Sequence, residues 1–330
     1  MLSVPLIAWI GFGIFILAML ALDLGVFHRR SHSVSLREAL AWTSGWVTLA
    51  LIFGTGIWWL AGQDKAIEFF TGYLLELSLS ADNVFVIALL FTYFAVPEQF
   101  QHKVLFWGVL GAVVMRLLMI LLGTALVHQA AWVLYVFGGL LIFAGIKMLV
   151  NRVEEMHPEK NPLVRLFRRM MPITPGFHGD RFFVREAGRR VATPLFVVLV
   201  CVETADLVFA IDSIPAVFSV TLDPFIVFTS NVLAILGLRS LYFLLARAVN
   251  AFRYLKPALG AVLAFAGAKL LLAHTPWKID NLVALAVVAG ALGAGVAASL
   301  LRPGRVEEPS VVPVAVPVPA SLELPRDPGS

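Results

Sequence analysis

The sequence predicts an all-α, polytopic membrane helix bundle of about nine transmembrane helices that contains an inverted three-helix repeat. Of its 330 residues, 60% are hydrophobic and 14% are charged, whereas soluble domains average about 45–50% and 25%. This composition excludes an ordinary soluble domain. The single cysteine, Cys201, excludes a disulfide framework within the chain and a cysteine-based metal cluster.

Nine apolar segments approach or exceed the length of about 20 residues that a helix needs to cross a bilayer. They cover about 4–27, 42–61, 69–94, 104–127, 131–150, 194–220, 224–249, 257–274 and 280–301. We expect residues 1–304 to form one transmembrane domain, with a basic cytoplasmic loop at 151–193. The segment 305–330 is rich in Pro, Val, Ser and Glu without a helical period, which predicts a disordered tail.

Lysine and arginine are distributed unequally between alternate loops. Eighteen lie in the loops of one side, whereas the other side has only Lys65 and Lys278. Because cytoplasmic loops carry the excess of basic residues, we expect a multi-pass protein of the cell (inner) membrane with its N-terminus outside and its C-terminus in the cytoplasm. This bias accounts for the pI of about 9.4 without a nucleic-acid partner. The expected surroundings are the lipid bilayer, and the sequence identifies no protein partner.

Three successive apolar spans carry an acid, an arginine and a lysine, and this series occurs twice. The aligned pairs are Asp82 with Asp206, Arg116 with Arg239, and Lys147 with Lys269. Because the predicted orientation makes the first span of each series cross in opposite directions, the repeats at about 69–150 and 194–274 are predicted to be inverted. Inverted repeats are typical of secondary transporters, whose binding sites lie near the middle of the membrane where the repeats meet.

Two of the spans contain oxygen-bearing side chains at a depth where a carboxylate costs about 2.5 to 3.5 kcal/mol. The candidate metal-binding residues are Glu76, Asp82, Asn83, Glu203, Asp206, Asp212 and Ser213. The seven histidines of the chain lie at the ends of spans or in loops. Oxygen ligands without histidine or thiolate favour a hard divalent cation such as Mg²⁺, Ca²⁺ or Mn²⁺.

Helical spacing groups some of these side chains. Glu76, Ser80 and Asn83 share one face of their span. In the other span, Glu203, Asp206 and Ser213 share one face, and Asp212 lies on the opposite side. We expect Pro215 to loosen its helix around Asp212 and Ser213, because it removes a backbone donor and clashes with the preceding turn. Carbonyl groups freed in this way could also coordinate a cation.

The same charges allow other interpretations. Asp82 could neutralise Arg116, and Asp206 could neutralise Arg239, as structural ion pairs. The predicted supporting counter-ions are Arg116, Arg239, Lys147, Lys269 and Asp23. An oxyanion pathway would instead use the arginines and lysines as substrate ligands, and a membrane scaffold would use the basic loop and tail to hold partners. The sequence contains no nucleophile–base pair, nucleotide-binding loop or cofactor motif, so we expect neither an enzyme nor a bound cofactor.

Three runs of the sequence together resemble the TerC family of integral membrane proteins. They are 71–83, which ends in Asp82-Asn83, 202–216, which contains Asp212-Ser-Ile-Pro215, and 230–242. The run 23–30 is similar to that family's first span and following loop. The resemblance covers roughly residues 5–300 and departs at Leu77, where many members have lysine.

The resemblance implies a role in metal-ion homeostasis, chiefly manganese efflux as in Alx-like members, together with a historical association with tellurite resistance. It also implies that the metal path follows Glu76, Asp82, Asn83, Glu203, Asp206 and Asp212. We therefore expect a Mn²⁺ exporter that works by alternating access, with Asp82 and Asp206 as principal ligands. Glu203 and Asp212 would be secondary ligands or proton acceptors, and Glu76 a gate or relay. Direction and proton coupling stay open.

Overall fold

The structure, a computed structural model, describes residues 5–27, 36–150, 172–186, 189–245, 254–273 and 275–301. Its helices are α1 (Leu6–Phe27), α2 (Leu36–Ala61), α3 (Gln63–Tyr93), α4 (Glu98–Gln129), α5 (Val133–Val150), α6 (Pro194–Phe218), α7 (Pro224–Leu236), α8 (Leu238–Leu245), α9 (Leu255–Leu272) and α10 (Asn281–Leu301). Within the described residues, eight helical stretches are long and apolar enough to cross a membrane, and α1 carries a shorter apolar stretch at Leu6–Leu22. The polytopic all-α class is therefore confirmed.

Many large apolar side chains point away from the bundle, as lipid-facing residues do. Leu122 and Phe143 are each 69% exposed, and Leu301 is 82% exposed. Soluble proteins rarely expose contiguous apolar surface of this kind. The buried interior is formed mainly by α3, α4, α6 and α7, and these four helices carry the polar side chains described below.

The predicted span 224–249 is divided. Asp223 begins α7, because its Oδ1 accepts hydrogen bonds from the backbone N–H groups of Phe225 and Ile226 at 3.1 and 3.4 Å. The helix ends at Leu236, and α8 starts after Gly237. The predicted span is nevertheless kept, because Pro224–Leu244 counts as one candidate membrane span, with a one-residue break at Gly237, whose backbone angles are still helical.

The predicted opening of α6 at Asp212 is not seen. The helix is continuous from Pro194 to Phe218, and Pro215 lies inside its last turn. A proline costs one hydrogen bond to the preceding turn, but here the helix ends three residues later. The helix is therefore not interrupted at Asp212 and Ser213, and the one carbonyl that Pro215 leaves without its helical N–H donor is that of Ile211.

Part of the loop 151–193 is ordered against the bundle. An antiparallel hairpin joins β1 (Phe183–Glu186) to β2 (Arg189–Ala192), and residues 151–171 of the loop lie outside the described residues. Lys103 of α4 donates a hydrogen bond to Asp180 at 2.9 Å, which lowers the pKa of the Asp180 carboxyl group. The Lys103 ammonium also lies 5.2 Å from the centre of the Phe182 ring.

Helices that correspond in the two proposed repeats pack antiparallel. Along α3 and α6, Thr221, just beyond the end of α6, bonds Glu68 at the start of α3, whereas Asn83 bonds Asp206 farther along. The second helices of the proposed repeats are also in contact, because Arg116 of α4 bonds Asn231 of α7. An inverted repeat requires the antiparallel direction of α3 and α6, and the repeat itself stays a prediction.

Helices α5 and α9 meet backbone to backbone at four glycines. A methyl group on Gly145 would lie 2.6 Å from the carbonyl oxygen of Gly260, and one on Gly267 would lie 2.6 Å from that of Gly138. The offset of 122 residues that relates Lys147 to Lys269 also relates Gly138 to Gly260 and Gly145 to Gly267. Exchange of the two helices therefore maps this set of contacts onto itself.

Candidate functional site

A buried polar cluster lies where α3, α4, α6 and α7 cross. Its centre is Arg116, whose side chain is 0% exposed and forms ion pairs with Glu76 and with Asp206, the latter at 3.5 Å. The same guanidinium donates to the Ser213 hydroxyl at 2.7 Å and to the Asn231 amide oxygen at 2.9 Å. We call Glu76, Asn83, Arg116, Asp206, Ser213 and Asn231 the central cluster.

Carboxyl groups outnumber cations in the central cluster. Counted formally, Glu76 and Asp206 contribute two negative charges and Arg116 one positive charge, so the formal net charge is −1. An isolated charge is costly in a low-dielectric interior. A bound cation would offset that cost.

Several oxygens of this region have no hydrogen-bond partner within the described residues. They are Asp206 Oδ2, Asn83 Oδ1, Ser80 Oγ and Glu76 Oε2. Buried polar atoms in native proteins are normally paired with protein groups, with water or with a ligand. Carboxylate, amide and hydroxyl oxygens are the ligand types that hard divalent cations accept.

A small cavity adjoins two of these residues, Asn83 and Asp206. Its volume is about 20 Å³, and its lining includes Asn83 and Asp206 together with apolar side chains such as Leu105 and Phe209. A cavity of roughly 10–15 Å³ on this measure already holds one water molecule. The space therefore suits one dehydrated ion or one water molecule, and it excludes a larger solute in this conformation.

Two of the predicted ligands lie outside the central cluster. Asp82 is half-buried on another face of α3, where Lys256 of α9 is the cation that acts on it. Asp212 is half-buried on α6, where Lys147 of α5 acts on it. The structural pairing of Asp82 with Arg116 that the sequence suggested is not formed, because Arg116 binds Glu76 and Asp206.

Glu203 is also separate from the central cluster. Its carboxylate lies against Gly111, where α4 has no side chain, and it lines a groove of about 440 Å³ with apolar neighbours such as Trp107 and Leu199. Asp206, one turn farther along α6, is the nearest charge that acts on it. Glu203 therefore lies between the central cluster and the surface of the bundle.

The other predicted counter-ions are scattered. Arg239 is 3% exposed, and its Nη2 lies 3.5 Å from His102 Nδ1. Lys147 is exposed, whereas Lys269 is 4% exposed and donates to Asn281 at 2.6 Å. Asp23 lies in α1, but its side chain is outside the described part of the structure.

Asn231 was not among the predicted site residues. Asn231 is 0% exposed, accepts from Arg116 and donates to the Val227 carbonyl at 3.0 Å. Its position inside an apolar span beside Ser230 was the available signal. Within the described residues there is no group of three or more His, Cys, Asp or Glu side chains that could hold a metal ion. A cation here would take two carboxylates and complete its shell with neutral oxygens or water.

The model of the TerC family, described as an integral membrane protein family, matches residues 61–306. The chain belongs to the TerC family. All six residues of the central cluster lie within the matched range, so the site is part of the TerC domain, whereas α1 lies outside it.

TerC-family relatives cover nearly the whole length of the chain. The "Uncharacterized membrane protein STKORF319" of Myxococcus xanthus is 52% identical over 89% of this chain and 92% of that relative. The "Putative membrane-bound redox modulator Alx" of Escherichia coli K12 is 46% identical over 86% and 91%. An "Uncharacterized membrane protein" of Rickettsia bellii is 38% identical over 91% and 99%. No solved structure matches the chain.

Proposed function

We propose that this TerC-family protein is a transporter that exports a divalent metal cation, with Mn²⁺ as its substrate. One observation carries the proposal. In a largely buried cluster with a formal charge of −1, Asp206 has an unpartnered carboxylate oxygen and Asn83 an unpartnered amide oxygen, and both residues line a cavity large enough for one ion. These are the ligands of a hard cation, and Mn²⁺ accepts them.

The proposed mechanism is alternating access between the two antiparallel repeats. Asp206 and Glu76 hold the dehydrated cation together with Asn83 and the neighbouring hydroxyl groups. Arg116 holds the two carboxyl groups in place through its ion pairs while the site is empty. Protons replace the metal on the return step, because an unoccupied negative cluster is costly at this depth.

Two other functions have less support. An oxyanion pathway through Arg116 would require a guanidinium that is free to bind an anion, but this one is held by two carboxylates, Ser213 and Asn231. A dithiol redox activity, which the printed name of the E. coli relative could suggest, needs two cysteines. This chain has one, Cys201, which is 3% exposed.

The test is Mn²⁺ flux into liposomes that contain the purified protein. Asp206→Asn removes one charged ligand and should lower the flux at least tenfold, because a neutral amide loses most of the attraction for a dehydrated divalent ion. Asp82→Asn is the matched control. It changes the same residue type at the aligned position of the other repeat, outside the cluster, and should keep more than half of the flux.

The comparison has a clear negative outcome. An equal loss of Mn²⁺ flux in both variants would rule out the central cluster as the binding site. Wild-type protein that transports no Mn²⁺ would rule out Mn²⁺ as the substrate. Circular dichroism and size-exclusion profiles check that each variant is folded.

A further inference from the structure

A large cavity lies at one end of the bundle, distant from the central cluster. Its volume is about 870 Å³, and it lies among the first turns of α3, α7 and α10 and the last turn of α9. Lys65 and Lys278, the two basic residues of the less basic set of loops, both line it. We call it the end cavity.

The most buried charge of the end cavity is Lys269. Lys269 is 4% exposed, and its ammonium group donates one hydrogen bond, to Asn281 Oδ1 at 2.6 Å. An ammonium group has three N–H donors. Among the described residues, no carboxylate lies within 4.0 Å of the Lys269 nitrogen, so a neutral amide is the partner of a buried positive charge.

The two acids that line the end cavity already have hydrogen-bond or ion-pair partners other than Lys269. Glu68 accepts from Lys65 at 2.9 Å and from Thr221 at 2.7 Å. Asp223 pairs with Lys65 at 3.2 Å through one oxygen and caps α7 with the other. Lys65 is thus neutralised locally, and Glu68 acts on Lys269 only from a distance.

The charged groups around Lys269 balance in number, but no acid is bonded to it. Lys278 lines the same cavity, whereas Asp280 acts on Lys269 from beyond ion-pair distance and accepts the N–H of Leu282 at 2.7 Å. A buried ammonium that lacks a bonded counter-ion binds an anion favourably, because the anion replaces the water that burial removed.

The remaining wall of the end cavity is apolar. It includes Trp9, Leu134, Phe218, Phe225 and Leu270. An apolar wall beside a lysine fits a phosphate group that carries hydrocarbon chains, as in a phospholipid. The volume of the end cavity also accommodates hydrated inorganic phosphate.

We propose that Lys269 and Asn281 form the polar end of a binding site for a tetrahedral oxyanion of the phosphate class, either free phosphate or the phosphate of an anionic lipid headgroup. The ammonium group supplies the charge and its two remaining donors. The Asn281 amide nitrogen adds a neutral donor, and Lys278 adds a second positive charge at the mouth. This site does not depend on the proposed transport of metal.

The experiment uses delipidated, purified full-length protein in detergent without metal ions. One arm titrates inorganic phosphate against chloride at matched ionic strength and follows the thermal unfolding midpoint. The other arm adds phosphatidylglycerol and counts bound lipids by native mass spectrometry. Binding in the first arm identifies free phosphate as the ligand, and binding in the second identifies the lipid headgroup.

Lys269→Met should raise the apparent Kd in the productive arm at least tenfold. Lys147→Met is the matched control, because Lys147 aligns with Lys269 in the other repeat but is exposed outside the end cavity, and it should bind as wild type does. Asn281→Asp is a second variant. Because it supplies an ion-pair partner for Lys269, it should also abolish binding. It keeps the buried charge paired, so it should remain folded even where Lys269→Met does not.

Each result decides the proposal. Binding that is lost in Asn281→Asp and in every folded Lys269→Met preparation, and kept in Lys147→Met, supports it. Absence of binding in both arms, binding that Asn281→Asp leaves unchanged, or equal loss in Lys147→Met overturns it.

Discussion

Arg116 of α4 and Glu76 of α3 form an ion pair in which both side chains are 0% exposed. Such a pair is not a strong source of stability, because both charges lose their hydration. Its removal is nevertheless asymmetric. Loss of one partner leaves a buried charge without compensation, and here the loss of Arg116 would leave two carboxylates, Glu76 and Asp206, without a cation in contact.

Arg116→Gln should lower the free energy of unfolding by about 3–5 kcal/mol, the usual cost of breaking a buried pair. The double variant Arg116→Gln, Glu76→Gln should recover part of this loss, because it removes one of the two orphaned carboxylates. Chemical unfolding in detergent measures both. A double variant that is less stable than Arg116→Gln would contradict the assigned pairing.

The glycine contact between α5 and α9 gives a prediction with a control on the same helix. Gly145→Ala would put a methyl group 2.6 Å from a backbone oxygen and 2.7 Å from a backbone nitrogen of α9, neither of which can rotate away. We expect a loss of about 1–3 kcal/mol, as for other overpacked sites. Gly139→Ala meets nothing within 4 Å and should unfold at the wild-type temperature or above.

Pro215→Ala tests the role of the proline in the last turn of α6. Because the helix is already regular through Asp212 and Ser213, we expect Mn²⁺ flux within about twofold of wild type and unchanged membrane insertion. Alanine adds one backbone donor near the helix end, so the melting temperature should not fall. A variant that inserts normally but does not transport would show that the proline positions the cluster after all.

Labelling of introduced cysteines tests the predicted orientation. In a Cys201→Ser background, Lys65→Cys and Lys278→Cys should react with a membrane-impermeant maleimide from outside intact cells. Cysteines at Arg185 and Arg189, in the two strands of the hairpin, should react only after the cells are opened. Labelling of both sets from outside would reject the predicted topology.

The sequence predicted best what depends on a single helix. The common face of Glu76, Ser80 and Asn83 follows from the helical period, and all three side chains are buried as that period requires. Contacts between helices were harder to predict from the sequence. Asp82 and Asp206 align in the repeats, yet only Asp206 faces Arg116, because the alignment fixes position along a helix but not its rotation in the bundle.

Partners supplied by distant segments were not visible in the sequence. Asn231 bonds Arg116 across 115 positions, and Thr221 bonds Glu68 across 153. No local pattern encodes such separations. The extent of disruption at Pro215 was also unpredictable, since it depends on where the helix ends, and that end is set by packing rather than by the proline itself.

The contact of α5 with α9 constrains how the protein can move. Where two backbones touch, no flexible side chains lie between them to absorb sliding, so we expect these helices, one from each predicted repeat, to move together as a single rigid body. Rearrangements that open one end of the central cluster must therefore occur between this pair and the remaining helices. A displacement that begins in one half of the chain is in this way passed mechanically to the other.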